Sequence, residues 1–421
     1  THTVSLKATK PLRKDESYMS NVNYTEIVFK IKEEHIKYMK VNEDGSIHYT
    51  LEMPVAEQVC PHCGASTRKS KGKRPRDVKF GAAQHHRVTA TYLQRRYKCQ
   101  ECNHTFIEKN PFVCRYLRLS KTNMEYLFRQ LGEKGSYTEM AKRSDVSVST
   151  VIRYCSKLAI PRPTQLPTVL GIDEYKGNAE GQMYQVIITD LNNHSIVDIL
   201  PKRDTRALIQ YFKTFSKEAR EQVKYIVMDM SPLFRLVMQT VFPHAHIVAD
   251  RYHVCRLVDW ALERVRKHEQ KRLVAHSRTL KYNRRVLMKN PNKLTESERI
   301  KLLEILHVSD DLRRAYGLRL AFRRIFKTYS IPNIERHIQL WLKAVENSHL
   351  PEFSNFNTSF TSWFPQIVNA FVLPYSNGFT EGCNNNIKVL KRISYGLRHF
   401  ERFRVRILLL SKKNSTSYLD S

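Results

Sequence analysis

The sequence has no long hydrophobic run and few acidic residues for its number of bases. None of its 421 residues belongs to an apolar stretch approaching about 18 residues, so we expect no transmembrane helix. Thr1 to Lys14 are polar and basic, so we expect no secretion signal and a cytoplasmic protein. Forty Asp and Glu stand against 71 Lys and Arg, a net charge of +31. This excess disfavours a typical small-molecule enzyme and predicts a polyanionic partner.

The positive charge is distributed unevenly along the chain. Residues 1–165 carry a net charge of +14, residues 166–255 are neutral, residues 256–340 carry +12 and residues 341–421 carry +5. A neutral block between basic ones predicts a centre that needs its carboxylates, flanked by surfaces that bind phosphates. Helices with solvated basic faces would give the same totals. An anionic membrane surface is disfavoured, because no basic amphipathic helix carries aromatic anchors.

Four of the eight cysteines form two C-x2-C pairs, which predict a zinc ribbon. Cys60 and Cys63 are separated by 35 residues from Cys99 and Cys102. Two such turns can complete a tetrahedral site of four thiolates for Zn2+. Two disulfides or unrelated thiols are the alternatives, and the lack of a secretion signal speaks against disulfides.

The 35 residues between the cysteine pairs predict a phosphate-contacting surface. They contain eleven Lys and Arg and a single acid. The arginines that we expect to bind DNA here are Arg74, Arg76, Arg95 and Arg96.

A helix-turn-helix is predicted after the ribbon. Apolar spacing predicts a helix over Thr122–Leu131, and Ser136 with Glu139 forms a capping box for a second helix. Ser144–Val146 is a turn, whose central Asp tolerates left-handed backbone, and a third helix follows over Val148–Leu158. The third helix would enter the DNA major groove, although an ordinary three-helix bundle is the alternative. Its candidate DNA-binding side chains are Ser149, Thr150 and Arg153.

Beyond a proline-rich linker at 160–167, the neutral block predicts an α/β sheet. Three strands in a meander, then helix, strand, helix and strand, is the order of an RNase H-like mixed sheet. We expect Asp173, Asp229 and Asp250 to stand at the carboxyl ends of three of these strands, where active sites of open sheets lie. Gathered carboxylates would bind Mg2+, although any single one could be a turn former or a helix cap.

The remainder of the chain predicts helices. Residues from Cys255 to about Leu350 read as a basic all-α insertion, with Trp260 among the residues of one apolar face. Its helices could contact phosphates or form a dimer. A later helix from about Thr380 carries Glu381, which is a metal-ligand candidate or simply part of a capped surface helix. The candidate DNA-binding residues of this helix are Asn384, Asn385, Lys388, Lys391 and Arg392.

The motifs in this order resemble bacterial insertion-sequence transposases of the ISL-three type. They are the zinc ribbon, the helix-turn-helix, G-I-D-E at 171–174, M-D-M-S at 228–231, A-D-R-Y-H-V at 249–254, the helical insertion, and S-N-G-x-x-E-G-x-N-N-x-I-K-x-L-K-R at 376–392. The resemblance implies a DDE triad on an RNase H-like fold, with Asp173, Asp229 and Glu381 binding Mg2+ or Mn2+. Asp250 is implied to lie beside the site and is the rival acid.

The resemblance implies a function and an organisation. The protein would bind the terminal inverted repeats of an insertion sequence, cut them by two-metal hydrolysis and join the 3′ ends to target DNA. Double-stranded DNA and a homodimer or larger assembly would be its partners, at the bacterial nucleoid. The alternatives are a DNA-binding regulator with an inactive RNase H-like domain and a metal-dependent nuclease without strand transfer.

The predicted domains follow these motifs. They are an N-terminal segment (1–55), the zinc ribbon (56–110), the helix-turn-helix domain (111–160), a linker (161–167), the first part of the catalytic core (168–254), the all-α basic insertion (255–373), and the last part of the core with the Glu-bearing helix and a basic tail (374–421).

Overall fold

The computed structural model describes residues 24–83, 86–114, 117–328, 333–394 and 398–411. The chain divides into two compact units. Of the described residues, the first unit contains those within 24–131 and 136–154, and the second contains those within 132–135 and 155–411. In these ranges, the helices are too short or too polar to cross a membrane. The first 23 residues of the predicted N-terminal segment and the end of the predicted basic tail, from 412, lie outside the described residues.

The first unit contains a five-stranded sheet in the order β1-β2-β6-β5, with β7 also paired to β6. Residues 36–51, which we predicted to precede the ribbon as a separate segment, join this sheet because β2 pairs in parallel with β6. A short hairpin, β3–β4, stands apart from it. The elements are α1 (Tyr24–Phe29), a 3-10 turn (Glu33–His35), β1 (Ile36–Val41), β2 (Ile47–Leu51), β3 (Gln58–Val59), β4 (Ser66–Thr67), β5 (Ser70–Ala83), β6 (His86–Lys98) and β7 (Thr105–Ile107).

Three helices follow the sheet: α2 (Lys121–Leu131), α3 (Tyr137–Arg143) and α4 (Val148–Lys157). The predicted capping box is present, because the Ser136 side chain accepts from the Glu139 N–H and the Glu139 carboxylate accepts from the Ser136 N–H. Asp145 has φ 49°, so the predicted left-handed turn residue between α3 and α4 is also confirmed.

The second unit is built on a mixed sheet in the order β10-β9-β8-β11-β12. The pairs β10–β9 and β9–β8 are antiparallel, whereas β8–β11 and β11–β12 are parallel. The predicted order of strands and helices is therefore present. The elements are β8 (Val169–Ala179), β9 (Gln182–Asp190), β10 (Ser195–Leu200), α5 (Thr205–Lys213), α6 (Lys217–Glu221), β11 (Tyr225–Met228), α7 (Pro232–Val241) and β12 (His246–Ala249).

An insertion of helices separates this sheet from the end of the chain, as predicted. Its first helix begins directly after Asp250, so it leaves from the edge of the sheet. Phe322, Trp341 and Phe360 are buried at its centre. The helices are α8 (Arg251–Arg272), α9 (Ser277–Tyr282), α10 (Arg284–Met288), α11 (Glu296–Val308), α12 (Asp310–Thr328), α13 (Ile334–Asn347), α14 (Pro351–Ser362) and α15 (Phe364–Val372), with 3-10 turns at Val274–His276 and Pro291–Lys293.

The chain then returns to the sheet through α16 (Gly378–Ile393) and α17 (Phe400–Ser411). The Thr380 hydroxyl on α16 lies 2.7 Å from the Thr189 hydroxyl on β9, and both are buried. Gly171 on β8 makes this approach possible, because a Cβ there would come within 3.0 Å of both hydroxyl oxygens.

Replacing Gly171 with alanine should disrupt the packing of α16 against the sheet. We expect Gly171→Ala to destabilise the protein by about 1–3 kcal/mol, since a methyl group would be forced into a filled site. Gly317→Ala is the matched control: no atom lies within 4 Å of the added Cβ on α12, so it should stabilise by about 0.5–1 kcal/mol. Denaturant unfolding of the two variants measures the difference, and equal stability would contradict the packing argument.

Candidate active site and metal centres

Three aspartates meet at one edge of the mixed sheet. Asp229 and Asp250 directly follow the parallel strands β11 and β12. The prediction that Asp173 also stands at a strand end is wrong, because β8 continues to Ala179 along β9. Its parallel pairing with β11 stops one residue earlier, at the pair of Ile172 with Met228. Asp173 therefore reaches the same edge from within a longer strand.

The surroundings of Asp173 disfavour the ionised form of its carboxyl group. Burial, together with the negative charge of Asp229, raises the pKa of Asp173 to about 7. The Glu174 backbone N–H donates to its Oδ1 at 2.7 Å and partly offsets this effect. A cation near Asp173 and Asp229 would relieve the same repulsion, so the donor set fits a divalent metal ion.

Asp229, Asp250 and His253 form a cluster whose ligand atoms all lie within 4.8 Å of one another. The Nδ1 of His253 lies 2.8 Å from Asp229 Oδ1 and 2.9 Å from Asp250 Oδ2. Burial of the ring disfavours its charge, but the hydrogen bonds and attraction from the two aspartates raise the pKa of His253 to about 10. The cluster therefore contains its own positive charge between two carboxylates.

Sequence reasoning missed His253, although a signal was available. Asp250 caps α8 without a side-chain bond to the helix backbone, and His253 stands three residues later on the same helix. Residues at i and i+3 are neighbours on a helix surface. The D-x-x-H spacing after an apolar strand could therefore have indicated the pair.

Sequence reasoning also missed the ion pair between Glu174 and Arg203, next to Asp173. Burial raises the pKa of Glu174, and the positive charge of Arg203 only partly offsets this effect. Arg203 also donates to the Ser231 hydroxyl at 3.2 Å. This guanidinium is thus fixed beside the acidic edge.

The N-terminal end of α16 is anchored on Asp173. Asn384 was predicted to bind DNA, but its side chain is buried and donates to Asp173 Oδ2 at 2.7 Å and to the Glu174 carbonyl at 3.3 Å. Asn377 donates to the Ile172 carbonyl at 3.4 Å. Because the helix docks on β8 through this face, Asn384 is a positioning residue for the carboxylate and not a surface amide.

Glu381, the third acid of the implied triad, lies on the exposed side of the first turn of α16. It stands three residues before Asn384, on the helix end that is fixed beside Asp173. Among the described residues, the cluster of potential metal ligands at this edge contains Asp250 and His253 instead of Glu381.

The four predicted zinc ligands come together in the first unit. Their sulfur atoms all lie within 4.8 Å of one another, with Cys60–Cys102 at 3.6 Å and Cys63–Cys99 at 3.5 Å. A tetrahedron with Zn–S bonds of about 2.3 Å has edges of about 3.8 Å, so the site fits zinc. All four are free thiols, which excludes the alternative of two disulfides.

The backbone around the cysteines suits a metal site. Gly64 and Asn103 follow the two C-x2-C pairs and both have positive φ, 76° and 57°. Burial opposes ionisation of Cys60, but the backbone N–H groups of Cys63 and His62 point at its sulfur, and its pKa falls to about 6. The thiolate form that binds Zn2+ is therefore favoured at Cys60, whereas hydrogen bonds with the neighbouring sulfurs raise the pKa of Cys63 and Cys102.

Two family models match the chain. A transposase model matches residues 170–407, which is more than half of the chain. A model for the zinc-finger of transposase IS204/IS1001/IS1096/IS1165 matches residues 56–102. The chain belongs to the ISL-three family of DDE transposases.

Individual relatives agree with this assignment. A transposase for insertion sequence element IS1001 from Bordetella parapertussis is 25% identical over 359 residues, which cover 83% of this chain and 87% of that protein. A transposase for insertion sequence element IS1557 from Mycobacterium tuberculosis is 26% identical over 258 residues, or 54% of this chain and 56% of that protein. A Lactococcus lactis protein named an ATP-dependent protease is 37% identical over 122 residues, but these cover only 29% of this chain.

The residues predicted to bind DNA in this transposase differ in exposure. Arg95 is buried, forms an ion pair with Glu52 and donates to the Met53 carbonyl, so it is not available to a phosphate. Arg76, Thr150 and Lys391 are half-buried. The exposed candidates are Arg74, Arg96, Ser149, Arg153, Asn385, Lys388 and Arg392.

Zinc content tests the ribbon of the transposase. The purified protein should contain about one zinc ion per chain, and Cys99→Ser should lose it because three thiolates bind the ion far more weakly. Cys114→Ser, which removes an exposed thiol outside the cluster, should keep it. Elemental analysis gives the answer, and unchanged zinc in Cys99→Ser would rule out this site.

The raised pKa of Asp173 predicts how Mg2+ binding depends on pH. The folded pKa of about 7 exceeds the ordinary value of 3.8, so this carboxyl makes the metal-free fold less stable as pH rises from about 4 to 7. Mg2+ should therefore raise the melting temperature more at about pH 8 than at about pH 5.5, where a proton competes with the ion.

Asp173→Asn is the control for this dependence, because the amide cannot ionise. In that variant the difference between the two pH values should shrink. Thermal denaturation with and without Mg2+ measures it. An equal Mg2+ effect at both pH values in the unchanged protein would contradict the role of Asp173.

Proposed function

We propose that this transposase binds the terminal inverted repeats of an insertion sequence, cuts the DNA by two-metal phosphodiester hydrolysis and joins the 3′ ends to target DNA. The observation that carries the proposal is the meeting of Asp173, Asp229 and Asp250 at one sheet edge, with the Glu381-bearing helix fixed on Asp173 by Asn384. The order of the mixed sheet supports an RNase H-like catalytic core.

Each acid has a proposed role in this core. Asp173, Asp229 and Glu381 would hold two Mg2+ or Mn2+ ions, and Asp250 would be a further ligand on the Asp229 side. Bound divalent ions supply activation of the attacking oxygen and stabilisation of charge on the leaving oxygen. Asn384 orients the Asp173 carboxylate, and His253 balances the charge of Asp229 and Asp250 while they are without metal.

DNA ends would be selected by the first unit. We propose that α3 and α4 form a helix-turn-helix, since α4 carries the exposed Ser149 and Arg153 and follows a tight left-handed turn. Arg74 and Arg96 of the ribbon would contact phosphates and make binding depend on salt. Exposed Asn385, Lys388 and Arg392 would hold DNA beside Glu381.

The predicted domain boundaries stay proposals, with residues 36–51 now grouped with the ribbon sheet. Joining two transposon ends requires two active sites, so we propose a homodimer or larger assembly acting on the bacterial nucleoid.

Cleavage of an end-containing DNA duplex tests the function. With Mg2+, the unchanged protein should cut at the transposon end, and Asp229→Ala should reduce cutting by at least about a hundredfold because a metal ligand is lost. DNA binding by Asp229→Ala should be retained, since the change removes an acid and leaves every basic DNA-binding residue in place. Glu221→Gln, which removes an exposed acid on α6, should cut normally.

The products distinguish the alternative functions. A plasmid target should acquire joined ends, whereas cutting without joining would indicate a nuclease. Specific binding without any cutting would indicate a regulator with an inactive core. Normal cutting by Asp229→Ala would contradict the proposed metal site.

A further inference from the structure

Helix α8 presents an exposed aromatic and basic stripe that begins beside the acidic cluster. Tyr252, Arg256 and Trp260 are four residues apart, so they lie on one face of the helix. Tyr252 is 56% exposed and Trp260 is 46% exposed. The sequence predicts Trp260 on one apolar face of this helix, and this prediction is wrong because the side chain is exposed.

The exposure of Trp260 is unusual within this chain. The chain has three tryptophans, and the other two, Trp341 and Trp363, are each only 4% exposed. Burial of an aromatic ring is among the larger favourable contributions to folding, so an indole left in water on a rigid helix is available for an external partner.

Arg256 is already arranged on this indole. Its guanidinium carbon lies 4.5 Å from the centroid of the Trp260 ring. A guanidinium held over an aromatic ring leaves its N–H groups free to reach a phosphate, while the ring keeps exposed surface for stacking. Nucleic acid offers both chemistries, a π face and a phosphate, on each nucleotide.

A cavity connects the stripe to the acids. It has a volume of about 310 Å³, and its walls include Asp229, Arg203, His253, Arg256 and Trp260. The same space is therefore lined by a candidate metal ligand and by an arginine that lies on an indole. A DNA strand whose phosphodiester lies at Asp229 would pass its neighbouring nucleotides along α8.

We propose that Tyr252, Arg256 and Trp260, here called the α8 stripe, bind unpaired nucleobases of a DNA strand next to the bond that is cut. Bases inside a duplex are already stacked on each other, so only unpaired bases can offer a free face to Trp260. This inference rests on the proposed function, since it assumes that DNA reaches Asp229. It assigns to the insertion a direct role in holding the strand.

Intrinsic fluorescence is a direct probe of the stripe, because Trp260 is the exposed tryptophan. The full chain, without Mg2+ so that no cutting occurs, is titrated with an oligothymidylate of about 20 nucleotides. An oligomer of the same length with abasic sites serves as a probe that keeps the phosphates and lacks the bases. Oligothymidylate should quench the fluorescence at saturation, and the abasic oligomer should quench it far less.

Variants of Trp260 test how much base stacking contributes to binding of the oligonucleotide. Binding of a labelled oligothymidylate, measured by fluorescence anisotropy, should weaken about tenfold in Trp260→Ala, because stacking of one base contributes about that factor. Trp260→Phe keeps an aromatic face and should recover most of the affinity. Tyr282→Ala is the matched control, since Tyr282 is an exposed aromatic residue of the insertion beside Lys281 and lies outside the stripe. It should bind like the unchanged protein.

Three results would overturn the proposal. They are equal quenching by the abasic oligomer, unchanged affinity in Trp260→Ala, or a change of oligomeric state in Trp260→Ala without DNA, which would show that a second copy of the chain covers the stripe. These results are independent of the proposed function, which fails instead if the unchanged protein does not cut an end-containing duplex with Mg2+.

Discussion

Burial of Asp173 beside the negative charge of Asp229 is the constraint on which the acidic edge of the second unit depends. The fold buries Asp173 at this edge, and the negative charge of Asp229 further opposes ionisation of Asp173. The surrounding groups offset this cost. Asn384 and the Glu174 N–H donate to Asp173, and His253 lies between Asp229 and Asp250. In the proposed function, a divalent cation bound at this edge would relieve the same repulsion.

The topology explains how residues so distant in sequence come together. Parallel pairing of β8, β11 and β12 brings three chain segments to one edge, and the helical insertion then returns the chain so that Asn384 meets Asp173 across 211 residues. Gly171 is needed for that return, because α16 and β9 place two hydroxyls over it. Because α8 begins directly after Asp250, the α8 stripe begins next to the acids that would hold the DNA strand.

Local features of the fold could be predicted from the sequence, whereas facing directions could not. The capping box at Ser136 and the succession of strands and helices along the second unit follow from short-range patterns, and the structure has both. Asp173 was placed at a strand end because the apolar run stops there, but β8 continues with pairing on one side only. The sequence predicts DNA binding for both Arg95 and Arg96, but neighbouring residues of a strand point to opposite faces, and Arg95 is the one that is buried. Asn384, expected at the surface, is buried, and Trp260, expected on an apolar face, is exposed. Helix periodicity shows which residues share a face, but it does not show whether that face packs against the rest of the protein.

The proposed cutting reaction depends most on Asp229 as a metal ligand, and the variant Asp229→Cys tests this role. A thiolate binds the softer Mn2+ better than the hard Mg2+, so the variant should cut an end-containing duplex with Mn2+ and fail with Mg2+. The unchanged protein should cut with both ions. Cutting by Asp229→Cys with Mg2+ at the rate of the unchanged protein would show that Asp229 does not bind the catalytic metal.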